Sequence, residues 1–132
     1  MINMKDWLSQ DETAKKIKRT VSFIGYDGKK NDIEVDVIIL NGIDKEEIED
    51  IMYSEDNQGK SATVYKREMV RRSLGLSHQE VDQLYRKKPA SAVEAFEDLC
   101  LEINTSKYTL LKERRGELKN LDEMVLPDDD LQ

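Results

Sequence analysis

Residues 62–104, ATVYKREMVRRSLGLSHQEVDQLYRKKPASAVEAFEDLCLEIN, decide the fold. Ala62, Tyr65 and Met69 recur at spacings of three and four, with Val70 and Leu74 on an adjoining stripe. Lys66, Arg67, Arg71 and Arg72 fill the other faces, so the period is helical. Gly75 follows, where helices commonly end in a left-handed residue. Ser77 stands three residues before Glu80, a capping box that opens a second helix with Val81, Leu84 and Tyr85 on its apolar face. Pro89 stops that helix and suits the first turn of the next, where its missing N–H costs nothing. The third helix carries Ala92, Phe96, Leu99, Cys100 and Ile103 on one stripe, which makes Phe96 and Leu99 expected core residues. Three helices in about forty residues, joined by short turns, form an antiparallel packing unit.

Upstream the period changes. In residues 16–25, Ile17, Val21 and Phe23 share one side with Arg19, and Lys18, Thr20 and Ser22 face the other way. In residues 32–40, Ile33, Val35, Val37 and Ile39 alternate with Asp32, Glu34, Asp36 and Ile38. Tyr26-Asp27-Gly28-Lys29-Lys30 supplies the turn between them. The outer faces are basic on the first strand and acidic on the second, which favours cross-strand ion pairs. An isolated hairpin is marginal in water, so helices or another subunit must cover one face. Its free edge offers a point for self-association, opposed by the charges along it.

Asn41-Gly42 breaks the second strand. Asp44 is expected to cap a helix whose buried side is Ile48, Ile51 and Met52, with Ile43 packing on Ile48 as a hydrophobic staple. Residues 54–61 contain no apolar side chain and read as a mobile loop. The expected fold is therefore α+β: an N-terminal β-hairpin at 16–40 followed by a mainly α-helical small domain with helices over 44–104. Residues 15–104 make the single domain. Residues 1–14 read as a flexible segment in which Trp7-Leu8 more often folds back on its own domain than docks on a partner. Residues 105–132 read as a partly helical, acidic, flexible C-terminal tail that ends in Pro127 and three aspartates.

The 132 residues suit one domain with a modest core, too small to surround a deep substrate pocket. A single cysteine excludes an internal disulfide and points to a reducing compartment. No targeting segment or long apolar run is seen, so no membrane association is expected. The net charge of −7 is uneven: residues 60–88 are basic, and the segments on both sides are acidic. A basic middle between acidic ends either meets an anionic partner or neutralises the chain's own acids, the second being the commoner case.

Chemistry-bearing patterns are scarce. One histidine and one cysteine do not make a usual zinc site. Cys100 lies on an apolar stripe and reads as a buried structural thiol. His78 falls within a capping box, in an exposed first turn. The six glycines are scattered, without a phosphate loop. The acidic run Glu46, Glu47, Glu49 and Asp50 reads as favourable charge near a helix start. Neither a catalytic residue, a cofactor nor a metal is expected, and the chain does not read as an enzyme.

The order of hairpin, capped acidic helix, polar loop, Leu-Ser-x-x-Glu-Val helix start and Lys-Lys-Pro helix resembles the small tail assembly chaperones of long-tailed bacteriophages. Residues 42–52, 64–74, 76–84 and 87–103 carry the resemblance, and with the hairpin they cover about two-thirds of the chain. It implies a phage or prophage protein of the bacterial host cytoplasm. Such a protein coats the long helical tape measure protein and helps bring tail tube subunits to it, in some members also as a longer frameshifted form. A role of this kind needs an apolar helical groove and solubilising charge rather than catalytic groups. The side chains suited to adaptable partner contact are Met52, Tyr65, Met69, Leu74 and Tyr85, each of which the domain's own core can equally claim.

Two other classes compete. A small acidic phage-encoded inhibitor of a host nucleic-acid enzyme would use acids in place of phosphates, but here acids are interspersed with Lys and Arg. A nucleic-acid-binding module would use Lys66, Arg67, Arg71, Arg72, Arg86, Lys87 and Lys88. Tyr65 and Tyr85 alone accompany them, and the overall charge opposes it, so nucleic acid is not an expected partner.

Overall fold

Alternation in the first third of the chain builds a hairpin. The structure, a computed structural model, describes residues 1–10 and 15–105. Strand β1 (Lys16–Ile24) pairs antiparallel with β2 (Lys30–Ile38), with Ile17 opposite Val37, Arg19 opposite Val35 and Val21 opposite Ile33. The turn begins one residue earlier than expected. The Gly25 N–H donates to the Lys29 carbonyl at 2.9 Å, and Gly28 takes a positive φ of 76°. The expected cross-strand charge pairing is present between Lys18 and Glu34 at 3.6 Å, and the Ser22 hydroxyl donates to Asp32.

Helices α2 (Gly42–Met52), α3 (Ser61–Ser73), α4 (His78–Lys87) and α5 (Ala90–Asn104) follow, so the molecule is the α+β domain that the change of period predicts. The cap of α2 corrects the sequence reading. Asn41, not Asp44, is the N-cap: its side chain accepts from the Asp44 N–H at 2.9 Å, and Asp44 reaches back to the Asn41 N–H at 3.2 Å. The helix therefore begins at Gly42. Ile43 then falls in the first turn, 60% exposed, while Ile48 is fully buried; the expected staple is not made. Within the loop expected over residues 54–61 there is local structure, and Ser61 already opens α3. Glu55–Asn57 form a 3-10 turn, and the Asn57 amide donates to the Ile51 carbonyl at 2.8 Å.

The α3–α5 unit follows its sequence signals closely. Gly75, at φ 65°, ends α3, and the Leu76 N–H returns to the Arg71 carbonyl at 2.8 Å. A side chain at Gly75 would meet Ile38 Cδ1 at 3.3 Å, so this turn also sets how closely α3 approaches the hairpin. Ser77 and Glu80 form the expected capping box of α4. Pro89 stands at the N-cap of α5 rather than inside its first turn.

Two apolar clusters hold the layers together. Ile48, Met69, Val70, Val81, Cys100 and Leu101 form one among the helices. Val21, Ala92 and Phe96 form the other, which joins α5 to the sheet; Phe23 packs on Phe96 with ring centroids 6.4 Å apart. Phe96 is core as expected, whereas Leu99 is half-buried, packed against this cluster. Leu101 is the core residue outside the predicted stripe.

At the N-terminus a short helix, α1 (Met4–Leu8), is capped by Asn3. Its apolar side chains are exposed, Trp7 by 48% and Leu8 by 68%, so the expected folding back of Trp7-Leu8 into the core is not observed. The tail expected over 105–132 lies, beyond Thr105, outside the described residues.

Candidate functional site

Where hairpin and helices meet, the sheet covers part of the helical unit and leaves an open groove of about 660 Å³. Its apolar lining comes from every layer: Val35 and Ile38 from β2, Leu74 and Leu76 from the end of α3, Leu84 from α4, Phe96 from α5. The rim carries both signs, with Lys16, Lys87 and Lys88 against Asp36 and Glu80. The Gly75 turn brings Leu74 and Leu76 to the groove, and the capping box that starts α4 directs Leu84 to it about two turns later. A concavity with an apolar floor and a mixed-charge rim binds by burial of apolar surface and aligns its ligand by polar contacts at the edge.

The groove's geometry is fixed from behind by Asn104. Its amide nitrogen donates to the Ile38 carbonyl at 3.0 Å and to the Ser73 hydroxyl at 2.9 Å, and its oxygen accepts from the Leu40 N–H at 2.9 Å. One side chain thereby ties the last turn of α5 to α3 and to the end of β2. Ser73 is fully buried. Beside it, burial pushes the Cys100 thiol up to about 12, against a smaller lowering contribution from Ser73, so Cys100 stays a protonated core residue at neutral pH.

The basic middle of the chain is largely spent on internal pairs. Arg71 binds Glu68 at 2.9 Å; Arg72 reaches Asp44 at 3.2 Å and Glu47 at 3.6 Å; Arg67 and Arg86 share Asp82 at 2.9 and 2.8 Å. Glu68 is itself buried, which alone would raise its pKa. The Arg71 hydrogen bonds and charge, with His78 and Arg72, outweigh that and lower it. Arg67 also lies over the Tyr85 ring, 4.8 Å from its centroid, and the Tyr85 hydroxyl donates to Glu97 at 2.8 Å. Burial, then the Glu97 carboxylate, holds the Tyr85 hydroxyl protonated well above its usual range. Of the seven basic residues set out for nucleic acid, Lys66, Lys87 and Lys88 remain exposed side chains without an ion pair among the described residues.

The five side chains singled out for partner contact do not share one surface. Leu74 lines the large groove. Tyr65 and Met69 line a separate concavity of about 440 Å³ with Leu40, Ile48 and Asn104, and Met69 is buried in the helical core. Tyr85 lines a third, more polar hollow. Met52 is half-buried at the end of α2. Leu76, Leu84 and Phe96 in the groove were legible as apolar positions, but nothing in the sequence told which of them would border an opening. Asn104 and Glu68 are missed by a reading of the sequence alone; Glu68 is marked there as the one acid within α3, and Asn104 carries no such mark.

Among the described residues no three His, Cys, Asp or Glu side chains converge as a metal set, and no helix is long and apolar enough to cross a membrane. Comparison with protein-family models, curated proteins and solved structures found no match.

Proposed function

We propose that this chain is a non-enzymatic assembly chaperone that keeps a much larger helical protein soluble by holding its apolar segments. The observation that supports this reading is the groove between β2, α3, α4 and α5, with its aliphatic floor and two-signed rim. An amphipathic helix laid there buries its apolar side on Val35, Leu74, Leu76 and Leu84, while Lys87, Lys88 and Glu80 meet its polar flanks. Together with the resemblance of the sequence to phage tail assembly chaperones, this makes the tape measure protein the proposed client. Tail tube subunits, brought to the client, are the second proposed partner, and the bacterial cytoplasm the proposed place of action.

The test is co-expression with a tape measure protein followed by size-exclusion chromatography at low and high salt. A soluble complex is expected at both, because burial of apolar surface is only weakly salt-dependent, whereas nucleic-acid binding weakens steeply. Leu76→Lys places a charge on the half-exposed groove wall and is expected to abolish the complex while leaving the free protein folded. A client that stays insoluble, or a complex indifferent to Leu76→Lys, overturns the reading.

A further inference from the structure

Among the described residues, backbone groups stay unpaired along both edges of the hairpin; on β1 the run is interrupted where the Arg19 guanidinium donates to the Lys18 carbonyl at 3.0 Å, and on β2 it is continuous from Lys30 to Asp36. The Gly25 N–H donates to Lys29, and the Ile39 N–H donates to Lys15. In the register of this hairpin those contacts fall at the odd-numbered pairs, which are therefore the ones that exchange hydrogen bonds between the strands. The even-numbered residues of both strands point their N–H and C=O groups outward. The side chains that meet the strands agree: the Ser91 hydroxyl donates to the Ile24 carbonyl at 2.7 Å, and Asn104 pairs with the Ile38 carbonyl and the Leu40 N–H.

These contacts show that α5 crosses the sheet obliquely, from beyond the β1 edge at its first turn to beyond the β2 edge at its last. On β2 the Asn104 amide takes the place of a neighbouring strand, accepting from one residue and donating to the residue two before it. That substitution covers only the end of the edge. The outward N–H and C=O groups of Asp32, Glu34 and Asp36 meet no hydrogen-bond partner among the described residues. On the same side, Ile33 stands 42% exposed on the apolar face of the sheet. A free edge beside uncovered apolar surface is the geometry that accepts an added strand.

The charge of the edge selects what it accepts. Asp32, Glu34 and Asp36 line the outer face, so a β2-to-β2 pairing between two copies sets acids against acids. The strand that already satisfies β2 from its other side, β1, alternates Lys16 and Lys18 with Ile17, and adds Arg19. A second copy offering its β1 in the parallel sense would set the first turn of its α5 against the last turn of this one, since both overhang the shared edge at that end. A lone extended segment pairs in either sense. We propose that the β2 edge at residues 32–36 is a docking site for an extended segment of a partner protein in which Lys or Arg alternates with apolar residues. It adds there as a third strand, with basic side chains over Asp32, Glu34 and Asp36 and an apolar one on Ile33. This site takes extended chain rather than helix; Asp36 also stands on the rim of the groove, and Asp32, Glu34 and the outward amides of β2 do not line it, so the site does not rest on the chaperone reading.

The probe is an eight-residue peptide with the sequence of residues 16–23, capped at both ends, titrated into the full-length isotope-labelled protein. The expected result is that the amides of Asp32, Glu34 and Asp36 slow in hydrogen exchange on binding, while the inward amides of Ile33 and Val35 do not change. Glu34→Pro removes one outward donor and leaves the β1–β2 ladder intact, since proline is tolerated on an outward-facing edge; it is expected to weaken binding about tenfold or more. Glu34→Lys with Asp36→Lys tests the charge without touching the backbone, and a peptide with Glu in place of Lys and Arg is expected not to bind. Shifts centred on the helices, or unchanged affinity in both variants, overturn the proposal. So does concentration-dependent self-association that protects the same amides, which assigns the edge to a second copy. Protection already present in the full chain and lost when residues 106–132 are removed overturns it as well, by assigning the edge to the chain's own tail.

Discussion

Glu68 and Glu34 hold the same kind of ion pair in two different surroundings. In the helical half, Glu68 sits against Arg71 at 2.9 Å with their side chains 11% and 18% exposed. In the hairpin, Glu34 faces Lys18 at 3.6 Å with side chains 66% and 72% exposed. The first pair lies where water is excluded and its removal leaves a charge stranded; the second exchanges one set of solvated contacts for another. The helical half fixes its own geometry with buried polar contacts, whereas the hairpin borrows its rigidity from α5 through one apolar patch and the hydrogen bonds of two side chains, Ser91 and Asn104. That difference explains why the accessible features, the groove and the free edge, both lie along β2.

The comparison breaks most readily at Phe96. Its ring is buried between the helices and β1, packed on Phe23 and beside Leu74, Leu84 and Val35. Phe96→Ala is expected to cost about 3–5 kcal/mol and to loosen the hairpin before the helices. Chemical denaturation measures the total, and hydrogen exchange by residue separates the two halves. A loss below about 1 kcal/mol means that the ring does not join the layers.

A smaller effect, with a distinctive pH dependence, is expected at Glu68. Glu68→Gln keeps the volume and removes the charge, leaving Arg71 without its partner; about 1–3 kcal/mol is expected at neutral pH. The folded pKa of Glu68 is lowered below its ordinary value of 4.5. A lowered folded value means that the contribution is fully present above the unfolded value and disappears as pH falls through the folded one. Wild type and variant should therefore differ in urea midpoint at neutral pH and converge in acid, below the usual carboxylate range. A constant difference across that range assigns the effect to packing rather than to charge.

The legibility of the sequence follows the same division. Local rules placed what depends on neighbours in the chain: the Ser77–Glu80 capping box, the Gly75 stop, the alternation of both strands. They faltered at α2 because Asn41 and Asp44 both satisfy cap chemistry, and each serves in the box, so residue type alone does not say which begins the helix. They could not anticipate Asn104, whose three partners at Ile38, Leu40 and Ser73 lie more than thirty residues away. The five predicted contact residues are distributed over different surfaces for the same reason, with Tyr65 and Met69 alone sharing one concavity. Met69 lies within α3 and Leu74 is its C-cap, and the fold gives one to the core and the other to the groove. The basic residues of α3 and α4 illustrate the remaining limit: composition showed a positive segment, and only the packing of α2 and α4 shows that Asp44, Glu47 and Asp82 answer it.

The smallest effect is expected at Lys18, and it is the one that sharpens the contrast with Glu68. Lys18 and Glu34 are both solvated, their separation is long for a direct contact, and holding two flexible side chains together opposes what the weak attraction gains. Lys18 is also diagonal to Glu34 in the register, where its direct neighbour is Asp36, so either acid can take its charge without the backbone moving. Lys18→Ala is accordingly expected to leave stability within about 0.5 kcal/mol of wild type, with little further dependence on salt. A double-mutant cycle with Glu34→Ala, read at low and high ionic strength, isolates the pair. If the coupling rivals the loss produced by Glu68→Gln, then the hairpin supplies its own stability through its outer face, and α5 is not what holds it in place.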